Sequence, residues 1–439
     1  MAETGAITHR RVLAVALPIL LSNATVPILG AVDTGVVGQL GLAAPIGAVG
    51  VGAVILGAIY WVFGFLRMGT TGLAAQARGA GEPAETGAVL MRALMIGAGA
   101  GFLFVVAQAV LFAGAFALAP ASAEVEDLAR SYLAIRIWGA PAAISLYAVT
   151  GWLIATERTR GVLALQLWMN GLNIVLDLWF VLGMGWGVRG VAVATLLAEW
   201  SGLALGLWLC REAFSGRQWC DWPRIFDRAR LRRMMVINGD IMLRSVTLQA
   251  VFMSFLFLGA RFGDVTLAAN QVLLQFLYIM AYALDGFAFA AETLVGGALG
   301  ARNRAALRRA AVLSAQWGAA VALPLATFFW LAGPWLIDVM ATAPEVREAG
   351  RLYLVWAVSG AMTGFPSWML DGIFIGATRT REMRNAMLLS GLVYLALLAP
   401  LLPAFENHGL WLALVLFNAI RALTLGWHYP ALEAGAEPG

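Results

Sequence analysis

The chain has 439 residues, 61% hydrophobic and only 12% charged, with a formal net charge of +4 and a mean hydropathy of +0.81. A soluble domain is about 25% charged, so there is too little polar side chain to cover a water-facing surface, which excludes soluble enzymes, secreted disulfide scaffolds and disordered regulators. All 29 basic residues are arginines, and a chain without lysine has neither a Walker A loop nor Schiff-base chemistry.

A membrane-spanning helix needs about 20 mostly apolar residues, and twelve such runs occur. The first, about 12–37, carries Pro18, Pro27 and Val32-Asp33-Thr34. It is too long, and too interrupted by proline and acid, for a cleavable signal peptide. The second, about 43–72, holds Arg67, and the third, about 88–118, holds Gly97-Ala98-Gly99-Ala100-Gly101, a small-residue run suited to close helix packing. The fourth, about 128–155, carries Arg136-Ile137-Trp138-Gly139-Ala140-Pro141. The fifth, about 162–183, carries Asn173 and Asp177; the sixth, about 189–211, carries Thr195 and Glu199. A basic connection follows, about 212–232; Cys210 and Cys220 belong to this region and read as reduced cytosolic thiols. The seventh run, about 233–259, has Asn238-Gly239-Asp240 and Arg244. The eighth, about 265–297, has Leu284-Asp285-Gly286-Phe287-Ala288 and Glu292. After the ninth, about 309–335, the tenth, about 349–376, runs into Asp371-Gly372-Ile373-Phe374-Ile375-Gly376-Ala377-Thr378-Arg379-Thr380-Arg381. The last two are about 383–403 and 408–430. His9, His408 and His428 lie apart at segment ends, so no histidine metal site is expected.

With both termini in the cytoplasm, 20 arginines fall on inside connections and five on outside ones. That bias supports the span count and the orientation. A sequence pI near 9.4 then reports topology and contact with anionic inner-leaflet lipid, not nucleic-acid binding. The chain divides into 1–211, a cytoplasmic linker 212–232, and 233–439. The two halves look duplicated at an offset of 221 residues: Ala129-Arg130-Ser131-Tyr132-Leu133 maps onto Gly350-Arg351-Leu352-Tyr353-Leu354, and Arg158-Thr159-Arg160 onto Arg379-Thr380-Arg381. Gly79-Ala80 likewise maps onto Gly300-Ala301 and Gly151 onto Gly372. Six spans per half is an even number, so the halves enter from the same side as parallel repeats, an arrangement typical of transporters.

The strings quoted on the first, fourth, seventh, eighth and tenth spans, with Pro18, resemble those of the multidrug and toxic compound extrusion (MATE) transporters, in the DinF-like branch. The resemblance covers nearly the whole chain. It implies an all-α integral membrane protein of twelve transmembrane helices, in two six-helix bundles around a V-shaped central cavity. It implies export of small amphipathic, often cationic, compounds in exchange for H⁺ or Na⁺ by alternating access. The cell inner membrane is the expected location. No enzymatic activity, cofactor or bound metal is expected, and a monomer suffices for this architecture. Related members carry a coupling-ion site in the N-terminal lobe, which maps here to Asp33, Asn173, Asp177 and Thr195.

Depth gives an independent check. At about 1.5 Å rise per residue, Asp177 lies roughly 22 Å from the inner face. Thr195 lies roughly 9 Å below the outer face, or about 21 Å up in a core of about 30 Å. Asn173 is one turn from Asp177 on the same face. Asp33 falls nearer the outer end unless Pro18 and Pro27 bend or tilt its helix. Arg136 comes near the same layer, roughly 12 Å below the outer face. Such oxygen ligands suit Na⁺, and two neighbouring carboxylates suit a shared proton. Asp33 is taken as the principal proton acceptor and Asp177 as its partner. Arg136 would compete with a metal cation, which favours H⁺. The second half does not copy these groups: the offset puts Ser254, Tyr394 and Leu398 opposite Asp33, Asn173 and Asp177.

The second half has its own charges. Asp240 and Arg244 are spaced i,i+4 and are expected to form a local ion pair, at a depth that also suits substrate or proton handling. Asp285, Asp371 and Arg67 fall near the cytoplasmic end, where Arg67 paired with Asp285 or Asp371 would make a gate. Glu292 reads as a capping or interhelical group with a further substrate role open. Among rivals, a lipid-linked precursor flippase of the same superfamily usually has more spans. A major facilitator would show its basic glycine-rich loop after the second span, where Gly79-Ala80-Gly81-Glu82 is a poor match. A membrane-embedded lipid-modifying enzyme would cluster acids and histidines at one face; here they are dispersed.

Overall fold

The computed structural model describes residues 6–39, 43–118, 122–215 and 218–436. Among these there is no strand. The first four helical spans are α1 (His9–Gly38), α2 (Ala44–Gly79), α3 (Pro83–Val106, continued by Gln108–Leu118) and α4 (Ala123–Ala155). Next come α5 (Thr159–Gly183), α6 (Gly187–Leu209), α7 (Arg228–Phe262), α8 (Asp264–Gly300), α9 (Arg304–Met340) and α10 (Pro344–Gly376). The stretch Thr380–Ala434 breaks at Glu406 (φ 48°, ψ −125°) into α11 (380–405) and α12 (407–434). Nine stretches among the described residues are long and apolar enough to cross a membrane, and Thr380–Ala434 carries two spans in one of them. With α1 and α10, helices outside those nine stretches, the twelve helices make the all-α membrane architecture that the hydropathy pattern implies.

Several helices outrun their apolar segments. The ninth run, expected over about 309–335, is the core of a helix that occupies Arg304–Met340. Thirty-seven residues span about 56 Å, well beyond a hydrocarbon core of about 30 Å. Hydropathy follows the lipid, whereas the helix continues through the interface, where polar ends stay hydrated. Asn303 fixes the start of α9 by accepting from the Ala306 amide at 2.9 Å.

The duplication is visible in the backbone. Gly81 (φ 74°) after α2 and Arg302 (φ 50°) after α8 occupy the left-handed region, 221 residues apart. Glu157 (φ 59°) after α4 and Thr378 (φ 52°) after α10 do the same at the same offset. The closing bonds repeat too: Arg158 N donates to Leu153 O at 2.8 Å, and Arg379 N to Phe374 O at 3.0 Å. This is the wide bond that closes a helix on a left-handed residue. Close approaches recur likewise. A Cβ on Gly151 would lie 2.5 Å from Arg67 O, and one on Gly372 would lie 2.5 Å from Ala288 O.

Two compact units result. One comprises Met1–Leu20, Ala75–Gly81 and Met234–Gly439; the other comprises Leu21–Ala74 and Glu82–Arg233. The core of the first is aromatic: Phe255 meets Trp411 edge-on at 4.8 Å and Phe276 stacks on Phe329 at 4.9 Å. Beside them, Asn270 and Asn407 exchange amide hydrogen bonds of 2.8 and 3.0 Å, and Trp411 Nε1 donates to Asn270 Oδ1 at 2.8 Å. That network satisfies buried polar groups next to the break at Glu406.

In the second unit the small-residue run of α3 works as expected at two of its three glycines. Cβ atoms on Gly97 and Gly101 would lie 3.0 Å from Ser145 Cα and 2.4 Å from Pro141 Cα, whereas Gly99 faces open space. The 212–232 connection folds against α3. Arg92 Nε donates to Ile225 O at 2.8 Å and Nη2 to Arg224 O at 2.7 Å, while Nη1 pairs with Glu85 at 2.7 Å. Arg230 also pairs with Glu85. Cys210, one residue beyond α6, is fully buried. Burial pushes its thiol up to about 12, with Glu212 raising it further and Arg158 opposing. It therefore stays protonated and unreactive through pH 9. Maleimide at pH 8 is expected to label Cys220 in the folded protein and Cys210 only after denaturation; mass spectrometry of the labelled peptides checks this.

Candidate functional site

The second unit carries a polar stripe along one face of α5. Gln166, Asn170, Asn173 and Asp177 follow one another at three- and four-residue steps, the spacing that aligns side chains on a helix. Gln166 Nε2 donates to Asn170 Oδ1 at 3.0 Å, and Asn170 Nδ2 to Thr25 Oγ1 of α1 at 2.9 Å. One turn further, Asn173 Nδ2 donates to Thr195 Oγ1 of α6 at 3.1 Å, and Thr195 Oγ1 donates to Val191 O at 3.0 Å. Asn173 is 1% exposed and Asp177 is fully buried. The structure thus joins Asn173 to Thr195 and sets Asp177 on the same stripe. Asp33 lies within α1, and its side chain falls outside the described residues.

Immediately after Asp177 the helix widens. Residues Leu178–Gly183 form a π-helical turn, with Met184 N donating to Trp179 O at 2.9 Å. Such widened turns inside a helix occur frequently at functional sites. Here the widening begins at the buried acid.

Arg136 belongs to a different pair. Its Nη1 contacts Glu199 Oε2 at 2.7 Å, both side chains being buried, and its Nε reaches Tyr132 OH at 3.4 Å. Glu199, unassigned in the sequence, lies one turn along α6 from Thr195. The glycine in Arg136-Ile137-Trp138-Gly139 has a steric reason: a Cβ there would overlap Glu199 Oε2. The guanidinium therefore has its own carboxylate, and its charge no longer discriminates between H⁺ and Na⁺. Arg136→Met is expected to destabilise the protein by about 3–5 kcal/mol, because Glu199 is left buried and unpaired. Adding Glu199→Leu should recover most of that loss in a thermal-unfolding series. Equal instability of the single and double variants would contradict the pairing.

In the other unit the expected local pair between Asp240 and Arg244 does not form. Asp240 accepts from Arg384 Nη1 at 2.6 Å and Thr380 Oγ1 at 3.1 Å, both on α11. Arg244 instead reaches Asp371 on α10 at 2.5 Å, and Arg421 on α12 reaches the same carboxylate oxygen at 2.8 Å. An i,i+4 spacing permits a pair, but both side chains find partners on neighbouring helices. Asp371, read as a gate partner for Arg67, is held by these two arginines. Arg67 is buried on α2; on α8, Asp285 is half-buried and Glu292 buried. Sequence reading missed Arg421. Once loop arginines are set aside, four remain inside spans, namely Arg67, Arg136, Arg244 and Arg421, and an intramembrane arginine is a functional candidate by default. Among the described residues, no three His, Cys, Asp or Glu side chains converge as a metal ion would require.

Comparison with known proteins places these features in a family. The MatE family profile matches residues 18–179 and 241–401. The chain is 39% identical to DNA damage-inducible protein F of Escherichia coli (strain K12) over 411 residues, 93% of this chain and 89% of that one. It is 26% identical to a probable multidrug resistance protein NorM of Synechococcus over 451 residues, 97% and 90% of the two chains. The fold matches the Vibrio cholerae MATE transporter VcmN in its bent form with a TM-score of 0.86 at 20% identity, covering 98% and 97% of the two chains.

Proposed function

The chain belongs to the MatE family of multidrug and toxic-compound efflux transporters, and on that premise we propose that it is a secondary antiporter. It exports small amphipathic, cationic organic compounds across the inner membrane in exchange for H⁺, by alternating access. The arginine bias of the connections supports cytoplasmic termini.

The observation that carries this reading is the buried acid Asp177 on the polar stripe with Asn173 and Thr195, at the head of a π-helical turn. An ionisable group at membrane depth is costly to keep without a role. Two features support Asp33 as its partner. First, the Asn170–Thr25 bond fixes the register of α5 against α1, which run in the same direction. Asp177 is seven residues on and Asp33 eight, so both rise about 10–12 Å above that bond. Second, the duplicated positions in the other unit touch: Ser254 Oγ and Tyr394 OH, opposite Asp33 and Asn173, hydrogen-bond at 3.2 Å.

Two carboxylates that hold a proton in one access state and face a cationic substrate in the other exchange one for the other. The cycle requires only that proton affinity differ between the two states. Proton release on binding tests it. In weakly buffered detergent solution, adding tetraphenylphosphonium to the purified protein should release about one proton per cation bound, since the two compete. Asp177→Asn and Asp33→Asn should each abolish the release. Binding that displaces Na⁺ and no proton would replace H⁺ with Na⁺ as the coupling ion.

A further inference from the structure

The unit containing α7 to α12 buries a charge that the export reading does not use. Asp371 is 5% exposed, and its Oδ2 accepts from both Arg244 Nη2 and Arg421 Nη2. Arg244 is 6% exposed and Arg421 fully buried. Two guanidinium groups therefore face one carboxylate, leaving a charge of +1. Asp240, the acid of α7, is already engaged by Arg384.

This excess cannot be titrated away. A guanidinium does not lose its proton in a protein, and protonating Asp371 would enlarge the excess. Taking an uncompensated charge out of water costs several kcal/mol. The hydrogen-bonding pattern has the same sign. Arg421 Nε and Nη1, Arg244 Nε and Asn418 Nδ2 are buried donors with no partner. Asn418, 2% exposed, lies three residues before Arg421 on the same face of α12. Asp371 Oδ1 is an open acceptor that one water would satisfy.

The structure assigns to this cluster a buried site for a small monovalent inorganic anion of the chloride class, held by Arg421, Arg244 and Asn418. One such ion cancels the excess charge and accepts from one free edge of the Arg421 guanidinium together with Arg244 Nε and Asn418 Nδ2, leaving the opposite Arg421 donor to water. Water would accept the hydrogen bonds but cancel no charge, and a divalent anion would reverse the sign.

The test uses the purified full-length protein in detergent, with sodium chloride exchanged for sodium gluconate at constant ionic strength. The melting temperature, followed by tryptophan fluorescence, rises saturably with chloride or bromide, and ³⁶Cl⁻ binds to about one ion per chain. Asn418→Leu weakens the apparent chloride affinity about tenfold, as expected for one lost hydrogen bond to a charged group. Arg421→Met removes the chloride response. Should that variant not fold, Asp371→Asn, which raises the excess charge, tightens chloride binding instead. Equal melting temperatures in chloride and gluconate with no bound ³⁶Cl⁻ would overturn the site and leave its donors to water. An undiminished chloride response in Asn418→Leu would also overturn it.

Discussion

Asp177→Asn is expected to reduce coupled export by roughly 100-fold, the upper end of ordinary coupling free energies. The side chain is fully buried on the polar stripe of α5. The amide is nearly isosteric but cannot take up and release a proton, so the loss should fall on coupling and not on folding. Removing a buried charge also removes a desolvation cost, so the variant should melt no lower than the parent. Thr195→Val is the graded counterpart. It takes away the acceptor of the 3.1 Å bond from Asn173 and should lower export about fivefold, by losing one hydrogen bond of about 1 kcal/mol. Efflux from preloaded cells at matched expression reads both. An Asp177→Asn protein that exports at the parental rate would remove Asp177 from the mechanism.

Gly300→Leu and Gly79→Leu are expected to abolish folded protein. The ends of α2 and α8 cross backbone against backbone. A Cβ on Gly300 would lie 2.0 Å from Gln76 O, and one on Gly79 would lie 2.0 Å from Gly297 O. The contact repeats with the 221-residue offset, so each helix supplies the glycine for the other's carbonyl. Gln76 also ties this end of α2 to the end of α10, donating from Nε2 to Gly376 O at 3.0 Å and to Thr378 Oγ1 at 3.1 Å. Ordinary carbon–oxygen contact would need the backbones to part by more than about 1 Å, a distortion that costs upwards of about 4 kcal/mol in a packed interior. Gly99→Leu is the control, because nothing lies within 4 Å of a Cβ there. Size-exclusion profiles of detergent extracts should show a monodisperse peak for Gly99→Leu alone. Monodisperse Gly300→Leu protein at parental yield would contradict the crossing.

Much of this architecture was legible in the chain. Twelve apolar runs identify the spans because the bilayer sets a minimum helix length, and the glycines at 79, 151, 300 and 372 betray the repeat because they mark backbone contacts that no side chain could enter. Depth arithmetic brought Asp177 and Thr195 to one layer, and Asn173 joins them through Thr195. What escaped was azimuth. Helical rise gives the height of Arg136 but not the direction its side chain takes, and Glu199, one turn from Thr195, claims it. For the same reason the i,i+4 spacing of Asp240 and Arg244 suggested a pair that the packing of α10, α11 and α12 dissolves. Their partners Arg384 and Asp371 lie more than 100 residues away. Arg421 stood in plain view as an arginine inside an apolar run, but it sits outside every string that resembles the family. The motif alone could not find it, whereas the cost of its charge in the membrane could.

Transport in proteoliposomes tests whether an ion gradient acting on the stripe of α5 drives export. Purified protein is reconstituted, and uptake of a fluorescent lipophilic cation is followed under an imposed pH gradient, an imposed Na⁺ gradient, or neither. Uptake against the concentration gradient is expected when the lumen is acidic, with none under Na⁺ alone and none with Asp177→Asn under any condition. Uptake that ignores the pH gradient, or that Asp177→Asn sustains at the parental rate, would contradict this coupling.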